Sequence, residues 1–226
     1  MKLTILYDNE AFLEGLKAKW GFSCLIEEGG KKILFDTGAN GPILLENMEK
    51  MRIDPAGIDI IFISHSHWDH IGGLSDLLHI NRKAELYLPF HFNKESGLPV
   101  LYLDILKDCL EGNKVVVSKE GAKIADNVYT TGILTNNEQS LIIRTEKGLV
   151  VVVGCAHSGI DEILDSASKY GKLYALIGGF HGFMDFELLE EIELLCPTHC
   201  TQYKKGIISL YPDKCIPGGA GKVIEI

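Results

Sequence analysis

The chain has 226 residues, of which 46% are hydrophobic and 23% charged, and its formal net charge is −9. This composition is that of an ordinary soluble globular protein. The negative charge argues against a broad surface for nucleic acid or anionic membrane, and no apolar stretch reaches the ~18–20 residues that a membrane span needs. The six cysteines lack a small-protein disulfide spacing, and the N-terminus lacks a secretory leader, so we expect a reduced, cytoplasmic protein.

Strands and helices are predicted to alternate along the chain. Apolar or alternating runs predict strands at residues 2–8, 22–36 (a hairpin turning at Gly29-Gly30), 58–65, 84–89, 114–118, 127–132, 139–157 (a second hairpin), 172–179 and 222–226. Helical periodicity with end signals such as Pro42 and Gly171 predicts helices at residues 41–51, 73–80, 99–112, 159–171 and 185–195.

Each half of the chain opens with a predicted hairpin and continues with strand–helix units. This arrangement predicts an α/β fold in which two sheets pack face to face and helices cover the outside, a four-layer α/β/β/α sandwich. Because no linker or low-complexity segment separates the halves, we expect a single domain over residues 1–226.

The stretch ISHSHWDHIGGL at residues 63–74 crowds titratable side chains at the end of a predicted buried strand. Residues two apart in a strand point to the same side, so His65 and His67 project together, and a turn would bring Asp69 and His70 alongside. Imidazole and carboxylate groups suit zinc, and also iron or manganese. A polar loop with coincidental histidines is the alternative, but His-x-His-x-Asp-His after a buried strand favours a site for one or two transition-metal ions.

Three further histidines follow apolar strands or helix–loop units and could reach the same edge of the sandwich: His157, His181 and His199. Packing alone is the alternative for each of them. His79 falls within a predicted helix, where a packing or surface role is expected. His91 follows the strand at 84–89, and both a pocket-rim role and a structural role remain open.

These residues carry a resemblance to a known family. His65, His67, Asp69 and His70, followed by Gly72-Gly73, resemble the metal-binding signature of the metallo-β-lactamase superfamily. The stretches LFDTG (34–38), GCAHSGI (154–160), GGFH (178–181) and PTHCT (197–201) extend it over nearly the whole chain. In this order they resemble the branch named for the synthase that joins a dihydropterin to ribofuranosylaminobenzene 5′-phosphate.

The resemblance implies a role for each matching residue. His65, His67 and His157 would hold one ion, while Asp69, His70 and His199 would hold a second. The family's usual bridging aspartate should end the strand before the last motif, where this chain has Gly178-Gly179-Phe180-His181. Either His181 takes that place, or contacts substrate, or the second ion binds more weakly. Losing a negative charge there would make the site more electrophilic toward anions.

Four other features have two readings each. Asp36 resembles the family's aspartate beside the metal site and would orient a ligand histidine, or it merely caps the Thr37-Gly38 turn. Cys155 could share the face of His157, but a buried structural thiol is favoured. Cys196 and Cys200 flank His199 like half of a zinc knuckle, but packing is favoured because no second pair follows. The Gly-rich run at 218–221 lacks the Lys-Ser/Thr of a phosphate loop and is expected to form a turn.

The expected function is that of a metal-dependent hydrolase or transferase acting on a small, phosphorylated molecule. Bound metal would activate water or act as a Lewis acid, with Asp69 orienting the nucleophile. One alternative is a non-catalytic sensor that keeps a metal site. Another is a di-iron oxidoreductase of the same fold, although that class usually has Glu where His67 stands and carries a flavin domain that the chain lacks. The sequence leaves the oligomeric state open.

Overall fold

The computed structural model describes residues 1–89 and 112–226 of the chain. Within them two β-sheets pack face to face, and helices cover the outer face of each sheet. The predicted four-layer α/β/β/α architecture is confirmed. The helix expected at 99–112 and the role expected of His91 fall in residues 90–111, outside the described residues.

The first sheet is mixed, and its described strands follow the order β13-β1-β2-β3-β4-β5-β6. Strands β1, β2, β3 and β13 pair in antiparallel fashion, while β3 to β6 run parallel. The bounds are β1 (Lys2–Tyr7), β2 (Ser23–Glu28), β3 (Lys31–Phe35), β4 (Ile60–Phe62), β5 (Glu85–Tyr87), β6 (Val115–Val116) and β13 (Val223–Glu225).

The second sheet repeats this design with the order β12-β11-β10-β9-β8-β7. Strands β7 to β10 form an antiparallel meander, and β10, β11 and β12 run parallel. The bounds are β7 (Glu120–Ala125), β8 (Val128–Gly132), β9 (Leu141–Thr145), β10 (Gly148–Val153), β11 (Leu173–Gly179) and β12 (Leu194–Thr198). Strand β7 was not predicted, because its sequence EGAKIA lacks a continuous apolar face.

The run of four valines in β10 shows how the layers are built. Val150 and Val152 belong to the cluster between the two sheets, whereas Val151 and Val153 belong to the cluster beneath the outer helices. Since alternate side chains of a strand point to opposite faces, only a strand covered on both sides needs an uninterrupted apolar run. Each buried valine contributes roughly 1.5–3 kcal/mol relative to an exposed one.

Five described helices cover the sheets: α1 (Gly41–Lys50), α2 (Trp68–Ile71), α3 (Leu74–Ile80), α4 (Ile160–Ser168) and α5 (Lys204–Leu210). Asn40 caps the N-terminus of helix α1. Its side chain accepts a hydrogen bond from the Ile43 amide, and Pro42 occupies the first turn. Predicted helices at 41–51, 73–80 and 159–171 are thus confirmed, while α5 was missed. No helix among the described residues is long and apolar enough to cross a membrane.

The helix predicted at 185–195 is wrong. A short 3₁₀ turn at Phe186–Leu189 is followed by β12, which pairs in parallel with β11. Burial of Leu195 and Cys196 on opposite faces of the sheet outweighs the helical periodicity of this segment. Pro197 also disfavours helical backbone at Cys196, and at the end of the sheet its missing N–H costs little.

The parallel strands of both sheets end at the same edge of the sandwich. Strands β3 and β4 lead into Asp36 and Ser64, while β10, β11 and β12 lead into the segments that begin at Gly154, Phe180 and His199. The Gln139 amide donates to the Ser64 carbonyl and joins the two sheets at this edge. Carboxyl ends of parallel strands are the usual place for a site, because their loops converge there.

Candidate metal centre

The His-rich loop is shaped by a very short helix. The chain leaves β4, passes through Ser64 and His65 in extended form, and begins α2 with His67 at its N-cap. Asp69 and His70 therefore lie in a helical turn that returns them toward His65. Gly72 must be glycine, because a Cβ there would lie 2.3 Å from the Ala39 carbonyl oxygen.

Three imidazoles form the first cluster of donors, called here the three-histidine group (His65, His67 and His157). Their donor atoms lie within 4.8 Å of one another, and His65 Nε2 is 3.1 Å from His67 Nδ1. Two nitrogens bound to one tetrahedral zinc ion would be about 3.3 Å apart. Burial lowers the pKa of His157 to about 4 and that of His65 well below its usual value, and neighbouring imidazoles add to both effects. Neutral imidazoles are the metal-binding form.

A second cluster, called here the acidic group (Asp69, His70 and His199), lies beside the first. Asp69 Oδ2 is 3.3 Å from His199 Nε2 and 3.9 Å from His70 Nε2. Burial would raise the pKa of Asp69, but His199 and His70 outweigh it and hold that pKa well below the usual range. Asp69 is therefore an ionised carboxylate, as a metal ligand must be.

Asp36 orients His70, one member of the acidic group. Its Oδ2 lies 2.7 Å from His70 Nδ1, and its carboxylate also accepts hydrogen bonds from the Ser64 amide and hydroxyl. Burial disfavours protonated His70, yet the Asp36 carboxylate outweighs it and raises the His70 pKa. A carboxylate on Nδ1 leaves Nε2 free to face a metal, which is the contact expected of Asp36 from the sequence.

Sequence reasoning missed three residues that hold the donors. The Asn9 side-chain carbonyl lies 3.1 Å from His199 Nδ1, and the Trp20 indole N–H donates to Asp69 Oδ2 at 2.8 Å. Buried Glu138 accepts hydrogen bonds from the amides of Cys155 and Ser158 and so fixes the loop that carries His157. None of the three stands in a motif, and no signal in the sequence marks them.

Two nitrogens show that this arrangement fits a bound cation. His157 Nε2 and His199 Nε2 are buried and have no hydrogen-bond partner among the described residues, although the Asp69 carboxylate lies 3.3 Å from the latter. Leaving a buried donor or acceptor unsatisfied costs about 1–3 kcal/mol. A metal ion in each donor group would satisfy the nitrogen that belongs to that group, so the donor set suits divalent transition metals.

Comparisons with known proteins agree with this geometry. Residues 21–99 match the family model of the metallo-beta-lactamase superfamily. The solved structure of Tm1679, a metal-dependent hydrolase of the beta-lactamase superfamily, superposes with a TM-score of 0.78 at 26% identity, covering 100% of this chain and 99% of that one. The chain contains a metallo-β-lactamase superfamily domain.

Two curated relatives of this chain differ in what they are named for. The chain is 28% identical over 256 residues to the 7,8-dihydropterin-6-methyl-4-(β-D-ribofuranosyl)-aminobenzene-5′-phosphate synthase of Methanocaldococcus jannaschii, covering 89% of this chain and 87% of that protein. It is 43% identical over 153 residues to a metal-dependent hydrolase of Roseiflexus castenholzii, covering 65% of this chain and 61% of that protein.

The histidines outside the two groups have different surroundings. His181 is exposed, and its ring lies 4.7 Å from the ring of His157, centroid to centroid, but its nitrogens do not join either donor group. The structure thus places it at the rim of the site. His79 lies exposed on α3, with Nδ1 2.7 Å from the Ser75 carbonyl oxygen, away from the donors as expected.

The cysteines divide between core and site. Cys196 packs between the sheets, as expected from the sequence. Cys155, for which a packing role was favoured, instead places its sulfur 3.1 Å from His70 Nε2, and Cys200 lies beside it. The hydrogen bond between these two thiols raises the pKa of Cys155 and lowers that of Cys200. The candidate site therefore includes two sulfur atoms beside the imidazoles, which the sequence motifs did not reveal.

Proposed function

We propose that this protein is a metal-dependent hydrolase that binds two divalent transition-metal ions, zinc first and iron or manganese as alternatives, and acts on a small phosphorylated molecule. One observation carries the proposal: two adjacent donor groups converge at the strand-end edge, each with a buried imidazole nitrogen that lacks a hydrogen-bond partner among the described residues. Burying such nitrogens is unfavourable unless a cation completes them.

Each donor group would hold one ion. The three-histidine group offers three neutral nitrogens, which leaves a tetrahedral ion one open position. The acidic group offers two nitrogens and one carboxylate. Ions held in this way would supply Lewis-acid polarisation of the substrate and a nucleophile derived from water near neutral pH.

Asp69 would orient the attacking water in this scheme. Its carboxylate is held by the Trp20 indole and by His199, so its position does not depend on the substrate. Because its pKa is held well below the usual range, Asp69 cannot donate a proton near neutral pH. It can accept a hydrogen bond from an attacking water and direct its lone pair, which is the catalytic role proposed for it.

The substrate would approach the exposed side of the three-histidine group. His67, Trp68 and His181 are exposed there, so they can contact a ligand, whereas the acidic group is buried behind them. A phosphorylated small molecule is supported by the phosphate in the name of the Methanocaldococcus jannaschii relative. The net charge of −9 disfavours a nucleic acid, whose many phosphates would be repelled.

A second candidate is the condensation for which that relative is named. It is favoured by an alignment that covers 89% of this chain. In that case the ions would assist departure of a leaving group from the phosphorylated partner rather than attack by water. Product analysis separates the two candidates, because condensation requires both substrates and hydrolysis requires only one.

Metal analysis combined with a substrate panel tests the proposal. Purified protein should contain one or two zinc, iron or manganese ions per chain by mass spectrometry and should hydrolyse a phosphomonoester, phosphodiester or lactone. The variant His79→Ala, a histidine on α3 away from the donors, is the matched control and should retain both properties. Metal-loaded protein that turns over nothing in the panel, and does not condense the two pterin-pathway substrates, would favour the sensor. Protein that binds no metal would contradict both candidates.

A further inference from the structure

Cys155 lies between the two donor groups. Its sulfur joins His65 and His70 in one cluster whose donor atoms all lie within 4.8 Å of one another, and it joins His199 and Cys200 in another. His65 belongs to the three-histidine group, whereas His70 and His199 belong to the acidic group. The sulfur therefore lies beside one member of the three-histidine group and two members of the acidic group.

The end of β11, where the family would carry a carboxylate, has no room for a side chain. A Cβ on Gly179 would lie 2.5 Å from the Gly154 carbonyl oxygen and 2.7 Å from Cys200 Sγ. At Gly178 a Cβ would lie 1.9 Å from the Val153 carbonyl oxygen, and φ is +128°, which favours glycine. The space that a carboxylate at this strand end would need is filled by the neighbouring strand and by a thiol.

Cys155 is held in place by its surroundings. Its backbone amide donates to Glu138 Oε1, and the loop is tied down further by Ser158 on the same carboxylate. The side chain is only 3% exposed, yet its neighbours are imidazoles rather than the apolar side chains that surround Cys24 and Cys196. A buried thiol that packs only for its volume does not require such polar neighbours.

We propose that Cys155 is a metal ligand shared by the two ion positions, standing in for the bridging carboxylate that the strand end at Gly178-Gly179 lacks. Cys200 fills the volume beside Gly179, and its thiol donates to the Cys155 carbonyl oxygen at 3.9 Å. The inference rests on the proposed metal centre. When the first metal–sulfur bond forms, the Cys155 S–H bond breaks and its single proton leaves to solvent. The second metal would bind another lone pair of the same thiolate, so no oxidant or reductant is needed.

Thiolate suits this position chemically. Zinc and iron both accept thiolate together with imidazole, at about 2.3 Å for zinc. A cation next to Cys155 would also favour its anionic form. A shared anion between two cations reduces their mutual repulsion, which is the role of a bridging carboxylate.

Cobalt substitution tests this assignment without measuring activity. The metal-free protein, kept reduced with a phosphine, is titrated with Co²⁺ and followed in the near-ultraviolet and visible. We expect two bound cobalt ions, visible ligand-field bands, and a sulfur-to-cobalt charge-transfer band in the near-ultraviolet. Cys196→Ser, a cysteine of the core between the sheets, is the matched control and should retain the band.

The variants separate the two thiols. Cys155→Ser should lose the charge-transfer band and bind the second cobalt ion more than about 10-fold more weakly, since loss of a supporting contact alone costs that much. Cys155→Asp should lose the band but retain two ions, because a carboxylate is restored. Cys200→Ser should keep the band. If Cys155→Ser does not fold, X-ray absorption at the zinc or cobalt edge of the wild-type protein should show sulfur scattering.

Three results would overturn the inference. Two cobalt ions with ligand-field bands but without the charge-transfer band would exclude sulfur ligation and leave the proposed metal centre intact. Loss of the band in Cys200→Ser but not in Cys155→Ser would show that Cys200, rather than Cys155, is the sulfur ligand. Failure of the wild-type protein to bind cobalt would remove the metal centre itself, and the inference with it.

Discussion

The two donor groups of this site differ in how the protein holds them. In the acidic group every member is at least nine-tenths buried and has a partner that positions it: Trp20 for Asp69, Asp36 for His70 and Asn9 for His199. In the three-histidine group, His67 is exposed and His157 is only half-buried. The acidic group is thus enclosed by the fold, whereas in the three-histidine group only His65 is buried and the other two imidazoles reach the solvent.

This difference shows how one site can combine rigidly held metal ligands with access for water and substrate. Supporting contacts orient a ligand and raise its affinity for metal, so they belong on the side that does not meet substrate. The open side must exchange water and substrate, and its imidazoles are kept neutral by burial and by one another. Changes in either group, or in the residues that support it, should therefore have different consequences.

The largest effect is expected from His67→Ala. It removes one of only three donors in the three-histidine group, so the ion there should be lost and activity abolished. Metal content by mass spectrometry should fall by about one ion per chain, with His79→Ala as control. Retention of both ions would contradict the assignment of His67 to that group.

Asp36→Asn should weaken the acidic group without removing any of its donors. The amide keeps the shape of the side chain, and asparagine tolerates the positive φ of +54° at this position. Loss of the charge beside His70 should lower the affinity of the second ion by about 10–100-fold. Isothermal titration of metal-free protein should show this loss in one of two unequal affinities; equal losses in both would mean that the two groups are coupled through Asp36.

The pH dependence of stability should distinguish His157 from an ordinary histidine. Its pKa in the folded protein is about 4, against 6.5 for the unconstrained side chain. Between these values the unfolded chain binds the proton and the folded chain does not, so metal-free protein should lose stability as pH falls from about 6.5 to 4.

His157→Asn removes this contribution and isolates it from other groups. Burial raises the pKa of Asp8 to about 6, and this carboxyl acts in the opposite direction over part of the same range. The difference in melting temperature between wild-type and variant protein cancels Asp8. The melting temperature of the wild type should fall relative to that of the variant as pH falls. An unchanged difference would mean that the His157 pKa is not lowered in the folded protein.

Trp20→Phe should have a modest effect. It deletes the indole N–H that donates to Asp69 Oδ2 but keeps an aromatic side chain near His199. A hydrogen bond to a charged group contributes about 1.5–3 kcal/mol, so kcat should fall by roughly 10–100-fold with little change in metal content. His79→Ala, on α3 away from the donors, is the control and should retain kcat. If both variants behave alike, the contact with Asp69 does not position it for catalysis.

The smallest effect on the metals is expected from His181→Ala. The imidazole lies at the rim against His157, outside both donor groups, so both ions should remain bound. KM should rise by a few-fold if the exposed ring contacts substrate. Loss of an ion from this variant would restore His181 as a ligand.

Much of the fold and half of the site could be predicted because their signals are local. The four valines of β10, the hairpin at Gly29-Gly30 and the cap before α1 act through neighbours along the chain or through strand alternation. His65, His67, Asp69 and His70 lie within six residues, so a single turn suffices to bring them together. Asp36 and the strand-end histidines followed from the rule that parallel strands end at one edge.

The residues that surround these donors depend on contacts between distant parts of the chain. Trp20 and Cys155 lie 49 and 85 residues from their partners Asp69 and His70, and no local pattern encodes such distant pairs. Residues 185–195 have helical periodicity, but parallel pairing with β11 and burial on two faces outweighed that weak preference. From the sequence, Gly178-Gly179 indicated only that a carboxylate is missing at this strand end. The packing of β10, β11 and Cys200 shows that no side chain fits there. Backbone approach and side-chain volume in three dimensions, which sequence spacing does not carry, determine which atoms can complete the site.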